Sequence, residues 1–470
     1  MELKEIYRYT GMLYGVNLVS SFITFLVMIL ITRVVSKEDL GIYGLFQAYT
    51  FISVYMSGLG VSSTVVKFVA QRHVDIKQIH TLLACILAAM TVVLITAGTI
   101  LIQQGREILG LALLTLPAYH VFDFSLSYAR GHFWKNAEWL IILASSLATS
   151  IAIVLLLPWF PDYRGPIYGQ VVSTYITAIG LLIIFFWSSR GLSERFAPIK
   201  GKWPKDFIYI AIPVFISTSL YSLNDVADRL IIEKYLGLEA LGEYFFAMSL
   251  FNILDRPVAL LARVLLSYFS TGNSRSSEPD KHIASVTKII KINLLALPLF
   301  AFIVIAIIPV VLPFFLNKDY SQAFNILAIA SIVIVVKSFE LVNSMLVIAR
   351  NSPTTNIYSQ LVALIFYLPA AIVLIHLFGI FGIAVAVVLR WIVFSIYQFV
   401  HMRQMQIATI SGWFLMRALA AYLFALSFFL KVPWAMAFIY LLAGRVLQLW
   451  NGKEFESFFR FCRPARLSGK

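Results

Sequence analysis

The sequence predicts an all-α, polytopic membrane protein of about fourteen transmembrane helices. They would form two six-helix lobes in parallel repeat, followed by two C-terminal helices. The prediction depends on an apolar composition, a regular series of apolar segments and an internal repeat. Of the 470 residues, 60% are hydrophobic and 13% are charged, whereas soluble domains carry about 25% charged residues. The composition therefore excludes an ordinary soluble protein.

The apolar segments are long enough to cross a bilayer, which takes about 20 residues each. The first is too long for the apolar part of a signal peptide and lacks a small-residue cleavage site, so we expect it to remain as a span. The predicted spans lie near 12–32, 42–66, 79–102, 108–129, 136–158, 166–187, 207–232, 241–268, 289–316, 322–348, 356–377, 380–401, 411–430 and 433–450.

The positions of Lys and Arg indicate the orientation of these spans. The loops that follow an even number of spans hold most of the loop cations, including the runs at 190–205 and 275–291. Cytoplasmic loops carry such an excess, so we expect both termini to be cytoplasmic. The net charge of +14 lies mainly beside the spans. It indicates contact with anionic lipid rather than with nucleic acid.

An internal repeat relates the two halves of the chain. The stretch RVVSKEDLGIY at 33–43 aligns without gaps on KYLGLEALGEY at 234–244. Ala129-Arg130 and the entry GPIYG at 165–169 have later counterparts in the same order, at 349–350 and 379–382. Because each unit holds an even number of spans, the units are parallel repeats. The predicted domains are a first lobe (1–190), a cytoplasmic linker (191–206), a second lobe (207–403), two added helices (404–450) and a basic cytoplasmic tail (451–470).

The seventh and eighth predicted spans carry charges at membrane depth. These are Asp225, Asp228 and Arg229 in one span and Asp255, Arg256 and Arg263 in the other. A charge at mid-bilayer costs about 2.5–3.5 kcal/mol on insertion scales, so it is usually paired or faces a wet cavity. Two interpretations stay open: ion pairs that hold a helix bundle together, and the charged cavity of a transporter. Asn224 shares a helical stripe with Asp228, and Arg256 shares one with Arg263.

Polar residues in other spans are further candidates. Asn17 and Thr24 follow one stripe of the first span, which is typical of helix packing or of a cavity wall. Arg390 lies near mid-span without a sequence-local partner, so it is a candidate for the cavity. Lys337 and Glu340 are three residues apart, which predicts a local pair. Asp123 is a further charge within a span.

Several kinds of catalytic and cofactor site are not indicated. The sequence has no P-loop, no Gly-x-Ser-x-Gly elbow and no HExxH motif. Its two cysteines indicate neither a disulfide framework nor a metal cluster. Gly58-Leu-Gly60 lies inside an apolar segment and predicts close helix packing. We therefore expect no catalytic residue, no cofactor and no metal.

Three stretches carry a family resemblance: VVSKEDLGIYG at 34–44, YARG at 128–131 and GPIYG at 165–169. With the two-lobe organisation, they resemble the oligosaccharide (polysaccharide biosynthesis) flippases of the multidrug/oligosaccharidyl-lipid/polysaccharide exporter superfamily. The resemblance implies a secondary transporter and not an enzyme. It would carry a polyprenyl-pyrophosphate-linked oligosaccharide across the cytoplasmic (inner) membrane by alternating access, for cell-surface polysaccharide assembly. Expected partners are this lipid-linked substrate, membrane lipids and other polysaccharide-assembly proteins.

The resemblance also implies roles for the polar residues within the spans. We expect the substrate cavity to include Arg229, Arg256, Arg263, Arg390, Asn17, Thr24 and Asn224. We expect Asp225, Asp228 and Asp255 to balance that charge or to bind a coupling ion.

Three alternatives stay open. A multidrug exporter would need a cavity of carboxylates and aromatic rings, which the arginines disfavour. A peptidoglycan-precursor flippase shares the fold and an anionic substrate. A membrane glycan polymerase or ligase would be an enzyme with a large external loop, and the sequence predicts no such loop.

Overall fold

The computed structural model describes residues 3–71, 74–132, 134–187, 196–272, 279–316, 320–338, 340, 353–404, 412–429 and 435–449. Nearly all of these residues are helical. The helices are α1 (Leu3–Val34), α2 (Lys37–Ser57), α3 (Val61–Gln71), α4 (Ile76–Gln103), α5 (Glu107–Gly131), α6 (Lys135–Leu156), α7 (Arg164–Trp187), α8 (Trp203–Leu236), α9 (Leu238–Gly272), α10 (Pro279–Val311), α11 (Ser321–Ala330), α12 (Pro353–Phe378), α13 (Ile380–Gln404), α14 (Gly412–Leu426) and α15 (Met436–Val446). After a turn at Ser331, the helix of α11 continues to Ser338.

The predicted class, an all-α polytopic membrane protein, is confirmed. Within the described residues, ten helices are long and apolar enough to cross a membrane, or up to 11 if one bent pair is counted as a single span. α14 and α15 are shorter apolar helices. The charged helix α9 coincides with the eighth predicted span. The count of about fourteen spans stays a prediction.

The second predicted span is broken. α2 ends at Ser57, α3 begins at Val61, and their axes differ by 51°. Between them, Leu59 and Gly60 have φ of 49° and 69°, a backbone conformation that ends a right-handed helix. A Cβ on Gly60 would collide with the backbone of α8 at Ala211 and Phe215. The close packing predicted for this glycine motif is therefore present, together with a bend that apolar periodicity does not predict.

The first repeat motif begins α2. The side chain of Ser36 accepts a hydrogen bond from the Asp39 backbone N–H, and the Asp39 carboxylate accepts one from the Ser36 N–H, which makes a capping box. Behind this cap, Leu40 and Phe46 of α2 are fully buried in the main core, and so are Leu241 and Phe246 of α9. The main core therefore includes the contact between the two repeat segments.

A hydrophilic cavity and a charged cluster

A cavity of about 580 Å³ lies between α1, α2, α5, α6, α7 and α9. Most of its polar lining comes from the predicted first lobe, and α9 supplies one wall. Its polar lining residues are Asn17, Ser20, Ser21, Thr24, Tyr43, Gln47, Tyr119, Ser145, Ser146, Thr149, Ser150, Gln170, Thr174, Thr177, Ser249 and Asn252. This volume lies in the range of pockets that hold drug-sized ligands.

The lining has an unusual chemistry for a cavity within a membrane. Its described residues supply hydroxyl groups, carboxamides, aromatic rings and the aliphatic or thioether side chains of Val27, Met28, Ile31, Ile142, Ile153 and Ile253, but no Asp, Glu, Lys, Arg or His. Phe25, Phe122 and Phe245 supply apolar ring faces between the polar groups. The described part of this cavity can therefore exchange many neutral hydrogen bonds with a ligand.

Hydrogen bonds between helices fix the polar wall. The hydroxyl of Tyr43 on α2 donates to Gln170 Oε1 on α7 at 3.1 Å, and Gln47 Nε2 donates to the Tyr43 hydroxyl at 2.7 Å. Ser173 of α7 donates to the Thr149 hydroxyl of α6 at 3.0 Å. Because these bonds join three helices, the carboxamide of Gln170 is held at a defined position in the cavity.

The structure places the predicted site residues in two regions. Asn17 and Thr24 line the large cavity. Asn224, Asp225 and Arg390 line a separate pocket between α8, α12 and α13, with a volume of about 10 Å³, which is room for one water molecule. Arg256 and Arg263 belong to the described helix α9, but their side chains lie outside the described part of the chain.

Arg390 is held between aromatic rings in this second region. The residue is 6% exposed, and its guanidinium lies 5.3 Å from the ring centre of Tyr367 and 5.7 Å from that of Trp391. Its Nη1 has no hydrogen-bond partner among the described residues. Next to it, Asn224 Nδ2 donates to the backbone oxygen and to Oε1 of Gln360, at 3.0 and 3.1 Å.

Asp228 and Arg229 face α9. Asp228 is 2% exposed and accepts hydrogen bonds from the Tyr244 hydroxyl at 2.5 Å and from the Arg229 backbone N–H at 2.8 Å. The Arg229 guanidinium lies 5.6 Å from the ring centre of Phe245, which is itself a lining residue of the large cavity. Among the described residues, Arg229 is therefore the arginine that stacks on an aromatic ring of the cavity lining.

Asp255 forms an ion pair with Lys337. Lys337 Nζ lies 2.7 Å from Asp255 Oδ1 and 4.4 Å from the ring centre of Trp391. Sequence spacing predicts a local pair of Lys337 with Glu340, whereas this ion pair joins two helices that are distant in the sequence. Asp255 therefore already balances a half-buried cation in this structure.

Most of the cavity wall lies outside the set of predicted site residues. Gln47, Thr149 and Gln170 line the cavity, and the sequence analysis does not predict them. A usable signal was present, because Ser145 and Thr149 are four residues apart within one predicted span, as are Gln170 and Thr174 in the next. Such stripes of small polar residues also occur in plain helix packing, so they do not identify a cavity by themselves.

Solved structures of transporters share this fold. The lipid II flippase MurJ, in an inward closed conformation, matches with a TM-score of 0.70 at 14% identity, over 96% of this chain and 100% of that one. An inward-facing multidrug resistance MATE family transporter of the MOP superfamily matches with a TM-score of 0.67 at 15% identity, over 82% and 94% of the two chains. A MOP superfamily transporter from Pyrococcus furiosus matches with a TM-score of 0.63 at 15% identity, over 86% and 96%.

At such identities these likenesses establish the fold and nothing finer. None of the curated proteins matches the chain in sequence. The family model described as "Polysaccharide biosynthesis protein" matches residues 6–273, which is more than half of the chain. The match covers the predicted first lobe, the cavity lining from α1 to α7, and α9. The chain therefore belongs to the polysaccharide biosynthesis protein family, and it has the fold of the MOP superfamily transporters.

Proposed function

We propose that this protein is a flippase that carries a lipid-pyrophosphate-linked oligosaccharide across the cytoplasmic membrane for cell-surface polysaccharide assembly. The observation that carries the proposal is the cavity within the apolar bundle, whose lining combines many hydroxyls and carboxamides with aromatic and aliphatic side chains. Membership in the polysaccharide biosynthesis family supports the same class of substrate. Both termini would lie in the cytoplasm, as the loop cations predict.

The cavity chemistry suits a glycan. A sugar presents hydroxyl groups that both donate and accept hydrogen bonds, and the carboxamides of Gln47, Gln170 and Asn252 can do the same. Its apolar C–H faces can pack on aromatic rings such as those of Tyr119 and Phe245. A site built around hydrogen bonds to a substrate rejects ligands that leave its polar groups unpaired.

The diphosphate needs cations that the described lining does not supply. Arg256 and Arg263 follow Asn252 by four and eleven residues within α9, the spacing of one helix face. Since Asn252 lines the cavity, we expect this face to extend the cavity wall and to bind the diphosphate, which arginine recognises in bidentate geometry. Arg229, beside Phe245, would assist. The polyprenyl chain would stay in lipid.

The charged residues around α8 and α13 take a different role in this proposal. Asp255 is paired with Lys337, and Asp228 is bonded to Tyr244. The ion pair supports a charge-balancing role for Asp255, and the hydrogen bond joins Asp228 of α8 to α9. Arg390, with Asn224 and Asp225 in the one-water pocket, would act in the coupling of the predicted lobes rather than touch the sugar.

Two rival substrates are separable by chemistry. A hydrophobic cation would require acidic groups, and the described lining contains none, so the multidrug interpretation is disfavoured. A peptidoglycan precursor is the second candidate, because the fold matches the lipid II flippase MurJ over nearly the whole of both chains. It shares the lipid and diphosphate and differs in the sugar.

Transport in proteoliposomes tests the proposal. Vesicles would carry a fluorescent polyprenyl-pyrophosphate oligosaccharide or fluorescent lipid II, and an external quencher would report how much label reaches the outer leaflet. We expect the oligosaccharide lipid to move, with a loss of about tenfold in Arg256→Ala, which removes a charge-assisted contact. Asp228→Ala tests the charge-balance role, and Arg106→Ala, in a connection between helices, is the matched control.

Each alternative outcome has a definite meaning. Faster movement of lipid II than of every oligosaccharide lipid would overturn the polysaccharide proposal in favour of a peptidoglycan-precursor flippase. Efflux of a cationic dye without movement of either lipid would overturn both. Equal transport by wild type and Arg256→Ala would show that Arg256 does not bind the diphosphate.

A further inference from the structure

The break in the second span is held by two titratable side chains of α5. His120 Nε2 lies 2.8 Å from the hydroxyl of Ser57, the last residue of α2. One helical turn later on α5, the Asp123 carboxylate accepts a hydrogen bond from Ser62, the second residue of α3. α5 therefore bonds to the chain on each side of the break through a different titratable group.

The hydrogen bonds define the proton on His120. The Ser57 hydroxyl donates to the Ser53 carbonyl oxygen at 2.6 Å, so His120 Nε2 must carry the proton that faces Ser57. In the neutral imidazole this leaves Nδ1 as an acceptor. His120 is fully buried, and Nδ1 has no hydrogen-bond partner among the described residues. An acceptor without a partner among the described residues thus lies beside the break, within a candidate membrane span.

The bend determines how α3 meets α8 of the predicted second lobe. Phe68 of α3 lies 5.3 Å, between ring centres, from Phe207 and 6.0 Å from Trp203. Val61 and Val65 are buried in the same cluster as Phe207 and Ala211. Since Gly60 also abuts α8, a change of the angle at Gly58–Gly60 would open or close this contact, which the predicted topology places at the cytoplasmic end.

The other polar and charged groups around Asp123 are few. Tyr55 of α2, Tyr119 of α5 and Arg130 of α5 interact electrostatically with it, and Asp225 of α8 acts on Tyr55 from the other lobe. Arg130 is already paired with Glu138 of α6 at 2.8 Å. Asp123 is therefore bonded to Ser62, while the cation that acts on it is paired elsewhere.

We propose that Asp123 is a proton-binding site that controls the bend of the second span and, through it, the contact between α3 and α8, while His120 holds the α2 side of the break. With Asp123 ionised, the Ser62 hydroxyl donates to the carboxylate and ties α3 to α5. A proton that binds to Asp123 replaces this charge-assisted bond with a weaker neutral one, and α3 is released. Binding on one side of the membrane and release on the other would couple a proton gradient to transport, a role that rests on the proposed function.

Distance measurements by electron paramagnetic resonance test the proton site without any substrate. Spin labels would be attached at Lys67→Cys on α3 and Tyr209→Cys on α8, both exposed positions, after Cys85→Ser and Cys462→Ser. We expect the distance between the labels to lengthen as the pH falls from about 8 to about 5, the range in which a carboxylate buried away from water takes up a proton. Asp123→Asn should show the long distance at every pH.

Two more variants separate proton binding from folding. Ser62→Ala keeps both titratable groups but removes the bond to α3, so it should also show the long distance at every pH. Asp162→Asn, in the turn before α7, should titrate like the unsubstituted chain. A distance that does not respond to pH, or an Asp123→Asn variant that responds normally, would overturn the proposal.

The transport assay distinguishes this failure from failure of the proposed function. If the distance responds to pH through Asp123 while no lipid-linked glycan moves, the proton site stands and the flippase proposal fails. If glycan lipids move but the distance is insensitive to pH, the proton site fails and the flippase proposal stands.

Discussion

Gly41 of α2 and Gly242 of α9 pack reciprocally against each other's helices. A Cβ on Gly41 would collide with the carbonyl oxygen of Leu238, and a Cβ on Gly242 would collide with that of Lys37. Gly41 and Gly242 are matched in the repeat, and so are Lys37 and Leu238. The two copies of the motif therefore meet in a self-complementary contact, like the one that a two-fold axis creates between subunits.

This contact predicts that a single methyl group at Gly242 destabilises the protein. Gly242→Ala places the methyl group against backbone, which cannot move aside as a flexible side chain could. We expect a loss of about 1–3 kcal/mol, as for overpacked cores, seen as a lower melting temperature in detergent. Gly180→Ala is the matched control, because a Cβ there meets nothing within 4 Å. Equal melting temperatures for the two variants would contradict the close approach.

An ion pair crosses the same junction. Lys37 Nζ lies 2.5 Å from Glu243 Oε1, and the Lys37 ammonium also lies 5.5 Å from the ring centre of Tyr320. Because Glu243 is nearly buried, we expect Lys37→Ala and Glu243→Ala to cost about 2 kcal/mol each. The double variant should cost little more than either one. A coupling energy between the two substitutions below about 0.5 kcal/mol would show that the pair is as weak as an exposed surface salt bridge.

The sequence predicts these contacts to different extents. The gapless alignment of 33–43 on 234–244 indicates equivalent positions, and apolar length predicts most of the spans. Helical periodicity gives the face of a residue within its own helix, but it does not determine which helices become neighbours. The predicted substrate cavity therefore includes both Asn17 and Arg390, which the structure places in different pockets.

Partners that are distant in the sequence are the part that cannot be predicted from a single chain. Lys337 has an acidic neighbour three residues away at Glu340, yet its ion pair is with Asp255, which is 82 residues away. Ser62 and Asp123 are 61 residues apart. The hinge at Leu59 and Gly60 is similarly hidden, because it depends on packing against α8.

The pair of Asp255 and Lys337 predicts a rescue. Asp255→Asn leaves the ammonium of Lys337 without its counter-ion between Phe251 and Trp391, and the loss of a hydrogen bond to a partly buried charge costs about 2 kcal/mol. The double variant Asp255→Asn/Lys337→Met removes both charges, so it should recover most of the lost stability in thermal unfolding.

Transport by that double variant then separates two roles of Asp255. If the carboxylate only balances charge, transport should return together with stability. If it binds a coupling ion, the stable double variant should remain inactive under an ion gradient. Lys337→Met alone is the control, because it leaves the partly exposed carboxylate of Asp255 able to reach water.

Gln170 gives the sharpest test of the cavity. Its Oε1 accepts from the Tyr43 hydroxyl and lies 3.4 Å from Gln47 Nε2, so Gln170→Leu removes an acceptor at the junction of α2 and α7 while it keeps a similar volume. The loss of one such neutral hydrogen bond is worth about 1 kcal/mol. We therefore expect transport of an oligosaccharide lipid to fall about fivefold.

The matched control is Gln103→Leu, which makes the same substitution at the exposed end of α4, outside the cavity. This variant should transport normally. Because Gln170→Leu removes no charge, its loss of transport should be the same at low and high salt. The loss of transport in Arg256→Ala should instead depend on the charge of the diphosphate. Equal transport by Gln170→Leu and Gln103→Leu would exclude the Gln170 carboxamide from the glycan path.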